Sequence, residues 1–273
     1  MLMYADLHIH SIFSDSTRSP EEIVQEAKKQ QVSLLSICDH DTIDAYDRLA
    51  VACGQSEISY ITGIEMGAAL KGEGYHVLAY HFDVQNAEML AFINRQKKQS
   101  DAFCAKMIAK MCNDYPQLSL ADYHAYEYPK ESGGWKYIHY AAARHVFETY
   151  DEAGLSIFPR YAEVDEDDVA IDQFCMIVKR AGGVPVLAHP GNDSADNIRA
   201  KLRDMQDNGI EGVECFYPSH DKASTEIYLD YCRKNNMRIT SGADCHGEYD
   251  KTAGFTVGAL RIPVDMLDLK GMI

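Results

Sequence analysis

The chain has 273 residues, 46% hydrophobic and 25% charged, an ordinary globular composition that can bury a full core without staples. Its formal charge of −16 argues against long nucleic acid as a partner, since that needs Lys/Arg clusters against phosphates; small phosphate anions stay open where divalent cations offset the charge. The N-terminus shows no secretory pattern and no apolar run approaches a membrane span. The eight cysteines form no CxxC pair, so free thiols in a reducing, cytoplasmic setting are expected, with no membrane and no inferable partner protein.

Residues 4–10 read as a strand, in which His8 and His10, two apart, present two imidazoles to one point. Ser19-Pro20-Glu21-Glu22 predicts a helix start, with Ser19 as N-cap, Pro20 at the first helical position and Glu22 closing a capping box. Residues 32–38 form a buried strand candidate, Asp39-His40-Asp41-Thr42 a polar turn, and 43–53 a helix stopped by Gly54. Strands at 58–66 and 75–80 follow, which makes Glu65 a charge inside an apolar strand. His76 and His81 flank the second of these strands, and the sequence barely separates them.

Residues 86–113 have helical spacing, while 114–164 are aromatic-rich and broken by Pro116, Pro129, Gly133-Gly134 and Pro159. A mostly helical insertion over about 86–164 is therefore expected between a first part, 1–85, and a second, 165–273. Alternation resumes with a helix capped by Asp165 and ending at Gly182-Gly183, then a strand at 184–188 leading into His189. A helix near 195–208, a strand at 210–216, a helix at 221–234 and a strand at 237–243 complete the pattern, the last leading into Asp244-Cys245-His246. Repeated strand–helix units favour a parallel sheet. Polar residues at so many strand ends fit a closed α/β barrel better than an open sheet.

Imidazole and carboxylate are the usual ligands of Zn, Mn and Fe. Two histidines at i and i+2 are the most specific local signal, because a core strand seldom buries two polar rings side by side. A buried Glu65 needs a partner or a metal ion. His189, and Asp244 with His246, stand where the chain must turn. Together these residues predict a polynuclear metal site.

Taken in order, Asp6-Leu7-His8-Ile9-His10-Ser11 with Asp15, Asp39-His40-Asp41, Ala188-His189-Pro190 and Asp244-Cys245-His246-Gly247 resemble the four motifs of the polymerase-and-histidinol-phosphatase (PHP) phosphoesterases. The resemblance covers about 1–82 and 165–250, and 86–164 matches much less well. It implies a distorted (β/α)7 TIM-like barrel with three divalent metal ions, Mn, Fe or Zn. By motif position the ligands would be His8, His10, Asp15, His40, Glu65, His76, His189, Asp244 and His246, with His76 favoured over His81. Open positions would remain for water and substrate, as a catalytic site requires.

Tyr217-Pro218-Ser219-His220 is similar to a segment that supplies an active-site histidine in the nucleotide-acting branch, which makes His220 a candidate general acid. Arg18 and Arg144 resemble substrate-phosphate arginines, a role suited to bidentate hydrogen bonding. Two departures bear on the substrate. Ser16 replaces the usual glycine after the first-motif aspartate, and Ala141 stands where a histidine is typical, with Lys136 and His139 as nearby substitutes.

The function implied is hydrolysis of a small phosphate ester, a nucleotide 3′-phosphate or cyclic phosphate, by a metal-bridging hydroxide, with Asp244 in the catalytic set and a small phosphorylated nucleotide as partner. Histidinol-phosphate hydrolysis is the nearby alternative. A proofreading exonuclease fits poorly, because no polymerase region follows. A non-catalytic metal-binding regulatory module and an amidohydrolase-type deaminase are readings of other classes.

Overall fold

The computed structural model describes residues 3–148, 157–162, 169–248 and 255–273. The chain begins with β1 (Tyr4–Ile9), α1 (Pro20–Lys29), β2 (Val32–Ile37), α2 (Tyr46–Gly54) and the short β3 (Ser59–Tyr60), whose strands are mutually parallel. The capping box at Ser19 forms in full: its hydroxyl accepts from the Glu22 N–H, and the Glu22 carboxylate accepts from the Ser19 N–H. That cap is worth about 1 kcal/mol, and it seats Ile23, Val24 and Ala27 against the sheet.

β4 (Gly63–Leu70) and β5 (Glu73–Tyr80) follow as an antiparallel hairpin closed by Lys71 and Gly72, both at positive φ. The expected strand over 58–66 divides here: its first part, β3, joins β2, and its second, β4, joins another sheet. The helical region then comprises α3 (Ala87–Met111), α4 (Leu120–Ala125) and α5 (Lys136–Ala143). Alternation returns with α6 (Ile171–Arg180), β6 (Val184–Leu187), α7 (Ala195–Asp207), β7 (Gly212–Phe216), α8 (Lys222–Asn235) and β8 (Arg238–Ser241), before the two-residue β9 (Ile262–Pro263). The predicted cap Asp165 lies outside the described residues.

The strands form two sheets, ordered β3-β2-β1-β9 and β4-β5-β6-β7-β8. The mixed α/β fold is as expected, while among the described residues no continuous ladder closes a ring. Isolated bridges span the gaps, Ile9 with Cys245 at one seam and His40 with Glu65 at the other. At the first seam His10 N–H donates to the Cys245 carbonyl at 3.0 Å and Asp244 N–H to the His8 carbonyl at 2.7 Å. The all-parallel expectation fails, because β5 runs against both β4 and β6. The link between β4 and β5 is far too short for a parallel crossover, which takes a dozen or more residues, and a two-residue turn makes them a hairpin.

Leu7, Leu34, Leu78, Tyr80 and Val186 fill the space enclosed by the strands, beneath the polar strand ends. The first half of α3, through Met89, Phe92 and Ile93, packs into the main core with Phe174. Its second half, through Met107, Ile108 and Met111, packs instead with Leu118, Tyr123, Tyr140 and Phe158 in a separate cluster. All eight cysteines are free thiols. Among the described residues no helix is long and apolar enough to cross a membrane.

Candidate metal centre

The polar strand ends converge on one place. His8 comes from β1 and His10 directly follows it, Asp15 comes from the loop beyond, His40 from the turn after β2, Glu65 from β4 and His76 from β5. His189 follows β6, and Asp244 and His246 follow β8. His76 reaches the same end as the others while early in its strand, because β5 runs in the opposite direction. His81, the alternative, is exposed and at positive φ, its N–H bonded to the Thr62 carbonyl.

The nine fall into three overlapping donor sets, in each of which the ligand-type atoms lie within 4.8 Å of one another. His10, Asp15, His40 and His246 form the first, His8, His10, Glu65 and Asp244 the second, and Glu65, His76 and His189 the third. His10 joins the first two and Glu65 the last two. Glu65 Oε2 lies 3.1 Å from both His8 Nε2 and His10 Nε2, while Oε1 lies 3.0 Å from both His76 Nδ1 and His189 Nε2. Two ligand-type residues turn the chain at positive φ, His189 at 21° and Asp244 at 52°, a conformation that costs a non-glycine residue free energy.

The electrostatics of the cluster follow from burial and from the charges it brings together. Burial would depress the His8 and His10 imidazoles, but Glu65, Glu214 and Asp244 hold His8 well above its ordinary range, and Asp244 and Glu65 hold His10 at about 10. Burial pushes His40 down to about 3, which leaves it neutral. Burial would raise the Asp15, Glu65 and Asp244 carboxyls, yet the imidazoles around them keep all three low. Even so, Glu65 Oε2 and Asp244 Oδ1 are buried with no hydrogen-bond donor, and His8 Nε2 faces His10 Nε2 at 3.1 Å. Buried anionic oxygens without donors, beside two ring nitrogens turned toward each other, are costly in a bare protein. A divalent cation among them removes that cost, so the donor set fits a metal ion.

Of three buried acids in the supporting layer, the sequence marked Asp6 and Asp39 only as members of their motifs and did not mark Glu214. Glu214 of β7, fully buried, sits 3.1 Å from His8 Nδ1 and accepts the His189 N–H at 2.9 Å. Asp39 accepts from the Ser11 N–H and hydroxyl, both at 2.6 Å, and from the Ser14 hydroxyl at 2.7 Å. Asp6 does not join the histidines it precedes. A register irregularity between Asp6 and Ile9 turns it toward the Ala243 and Gly258 N–H groups, and burial pushes its carboxyl up to about 6. Alternating polarity would group Asp6 with His8 and His10, and a lone acid inside an apolar strand is the cue that Glu214 offers. Tyr217 donates its hydroxyl to Asp244 Oδ2 at 2.9 Å.

The candidate substrate residues are placed less centrally. Arg18 pairs with Glu248 at 2.7 Å. Arg144 lies 3.9 Å from Asp122 with its guanidinium over Tyr140, Lys136 donates to the His124 carbonyl over Tyr123, and His139 binds the Gly133 carbonyl and stacks on Tyr128. These three are thus engaged within the helical region. His220 donates from Nδ1 to the Cys215 carbonyl and accepts the Gly191 N–H at Nε2, so in this arrangement it has no free N–H for a leaving oxygen. The helical region touches the donor sets at other points. Gly134 N–H donates to the Asp15 carbonyl at 2.6 Å, the Trp135 ring lies 5.3 Å from His40, and the Ser100 hydroxyl donates to Asp41 at 2.6 Å. Trp135, the only tryptophan of the chain, went unremarked in the sequence although it follows a glycine pair. Beside His76 and His189 opens a cleft of about 420 Å³, also lined by Gly67, Gly74, Tyr75 and Pro190.

A family model described as the PHP domain matches residues 6–252. The chain belongs to the PHP domain family. Relatives within reach of this PHP chain include a 5′-3′ exoribonuclease from Haemophilus influenzae, 27% identical over 88% of this chain and 89% of that one. A phosphoribosyl 1,2-cyclic phosphate 1,2-diphosphodiesterase from Eggerthella lenta is 26% identical over 94% and 100%. A 3′,5′-nucleoside bisphosphate phosphatase from Chromobacterium violaceum is 24% identical over 92% and 90%. Among solved structures, a protein assigned as a metal-dependent phosphoesterase from Bifidobacterium adolescentis superposes with a TM-score of 0.83 at 23% identity, covering 99% of this chain and 97% of that one, and shares the fold.

Proposed function

We propose that this PHP protein is a metal-dependent hydrolase of phosphoric esters, and that its three donor sets hold divalent ions, three in number and drawn from Mn, Fe and Zn. One observation carries the reading: Glu65, buried at the centre, turns one oxygen to His8, His10 and His40 and the other to His76 and His189. When bound, the ions supply Lewis acidity toward a phosphoryl group and lower the pKa of water. Asp15, Glu65 and Asp244 stay ionised below neutrality, as ligands must. Tyr217 holds Asp244 in place, and the cleft beside His76 and His189 gives a substrate access to the third set.

The substrate we favour is a nucleotide 3′-phosphate or cyclic phosphate, supported by relatives that act on a nucleoside bisphosphate and on a ribosyl cyclic phosphate. The relative named a 5′-3′ exoribonuclease supports RNA as a competing substrate class, so the net charge of −16 does not exclude nucleic acid as a partner. The test is metal analysis of protein purified without oxygen, then turnover of a panel: nucleoside 3′,5′-bisphosphates, cyclic phosphates, histidinol phosphate and 5′-phosphorylated oligoribonucleotides. Turnover with added Mn that EDTA abolishes is expected, fastest on a nucleotide 3′- or cyclic phosphate. A protein that binds metal yet cleaves no phosphoester would sink the hydrolase reading, and preference for the oligoribonucleotide would replace the substrate assignment.

A further inference from the structure

Glu214 is the one buried carboxylate beside the donor sets whose two oxygens both serve donor residues without joining a set. Val213 and Cys215 point from β7 into the helix-facing core, so the alternation of the strand turns Glu214 to the enclosed side, where it is fully buried. Its Oε1 lies 3.1 Å from His8 Nδ1, and its Oε2 accepts the His189 backbone N–H at 2.9 Å. A carboxylate can only accept, so His8 carries a hydrogen on Nδ1, the arrangement in which its Nε2 would serve a cation in the second set. The second bond holds His189 where its backbone turns at φ 21°, which aims that ring at Glu65 in the third set. The pair is packed without slack: a Cβ added at Gly242 would collide with both His8 and the Glu214 carboxylate.

We propose that Glu214 is a positioning residue that fixes the His8 tautomer and the His189 turn together, and so ties the second donor set to the third. The proposal rests on reading these sets as a metal centre. Outer partners of this kind typically change metal affinity 10- to 100-fold when lost.

The experiment compares wild type with Glu214→Gln by chelator competition against Mn and Zn, with thermal melting as a control. The amide keeps an acceptor for the His189 N–H but faces His8 Nδ1 with a donor, which drives the His8 hydrogen to Nε2. An affinity loss of about 10- to 100-fold is expected, with activity recovering at high metal concentration and the substrate KM unchanged. Wild-type affinity in a folded Glu214→Gln protein would overturn the proposal while leaving the metal reading intact. Failure of wild type to bind metal would remove the metal reading itself. Should Glu214→Gln not fold, ¹⁵N-histidine spectra of the Zn-loaded wild type decide: an Nδ1 of His8 without its hydrogen overturns the proposal, and a hydrogen-bonded Nδ1–H supports it.

Discussion

The strand-end cluster and the helical region beyond it are built on opposite plans. At the strand ends nine polar side chains from seven segments face one another, share Glu65 and His10, and leave two carboxylate oxygens without donors. In the helical region Lys136, His139 and Arg144 are engaged by carbonyls and aromatic faces of that same region. The first arrangement suits a cation, whereas Arg144, Lys136 and His139 in the second are already engaged by protein groups. The candidate ligands all come from the strands and their following loops, and the helical region meets them at a few contact points, Gly134, Trp135 and Ser100.

The contrast is broken most severely at its centre. Glu65→Gln removes the charge shared by two donor sets, so metal content should collapse and kcat/KM should fall by well over the roughly 100-fold that loss of an outer partner costs. Elemental analysis beside a steady-state assay checks this, and a Glu65→Gln protein with full metal content would refute the shared-ligand reading.

Acidity separates the regions next. His10 is held at about 10, above the ordinary 6.5, so its ion pairing stabilises the apoprotein fully below about 6.5 and is lost as pH rises through about 10. A cation must displace that proton, so affinity should rise with pH from 7 to 9, by about tenfold per unit for each proton released. Chelator titrations at several pH values read the slope, and a flat profile would mean that the cluster does not exchange protons for metal. Melting curves should show the apoprotein weakening toward pH 10 more than the loaded protein.

The smallest effect belongs to the helical region. Arg144→Ala loses the contact with Tyr140, worth about 0.5–1 kcal/mol in a denaturant titration, and should leave metal content and kcat/KM unchanged. A rise in KM of about tenfold at full metal content would place Arg144 on the substrate and erase the contrast.

Much of the site was legible because its residue types are expensive to bury for any other purpose. His8 with His10, Glu65 in an apolar strand, and Asp244 with His246 all break the pattern of their segments, and all meet in the structure. The strand directions were less legible. A hairpin at Lys71-Gly72 reverses β5, so His76 reaches the cluster from early in its strand, where the rule of C-terminal strand ends does not look. Asp6 shows the limit of period-two reasoning, since a register irregularity turns it to backbone N–H groups while His8 and His10 face the site. His220 shows the limit of motif position, because backbone groups on both ring nitrogens are set by loop geometry that no spacing encodes.

The single tryptophan of the chain stands 5.3 Å from His40, a member of the first donor set, with its own backbone tied to the Asp15 loop through Gly134. The whole indole emission of the protein therefore originates beside that set. Should a paramagnetic ion bind there, this emission is expected to fall. Loading of the cluster would thereby be readable without a label.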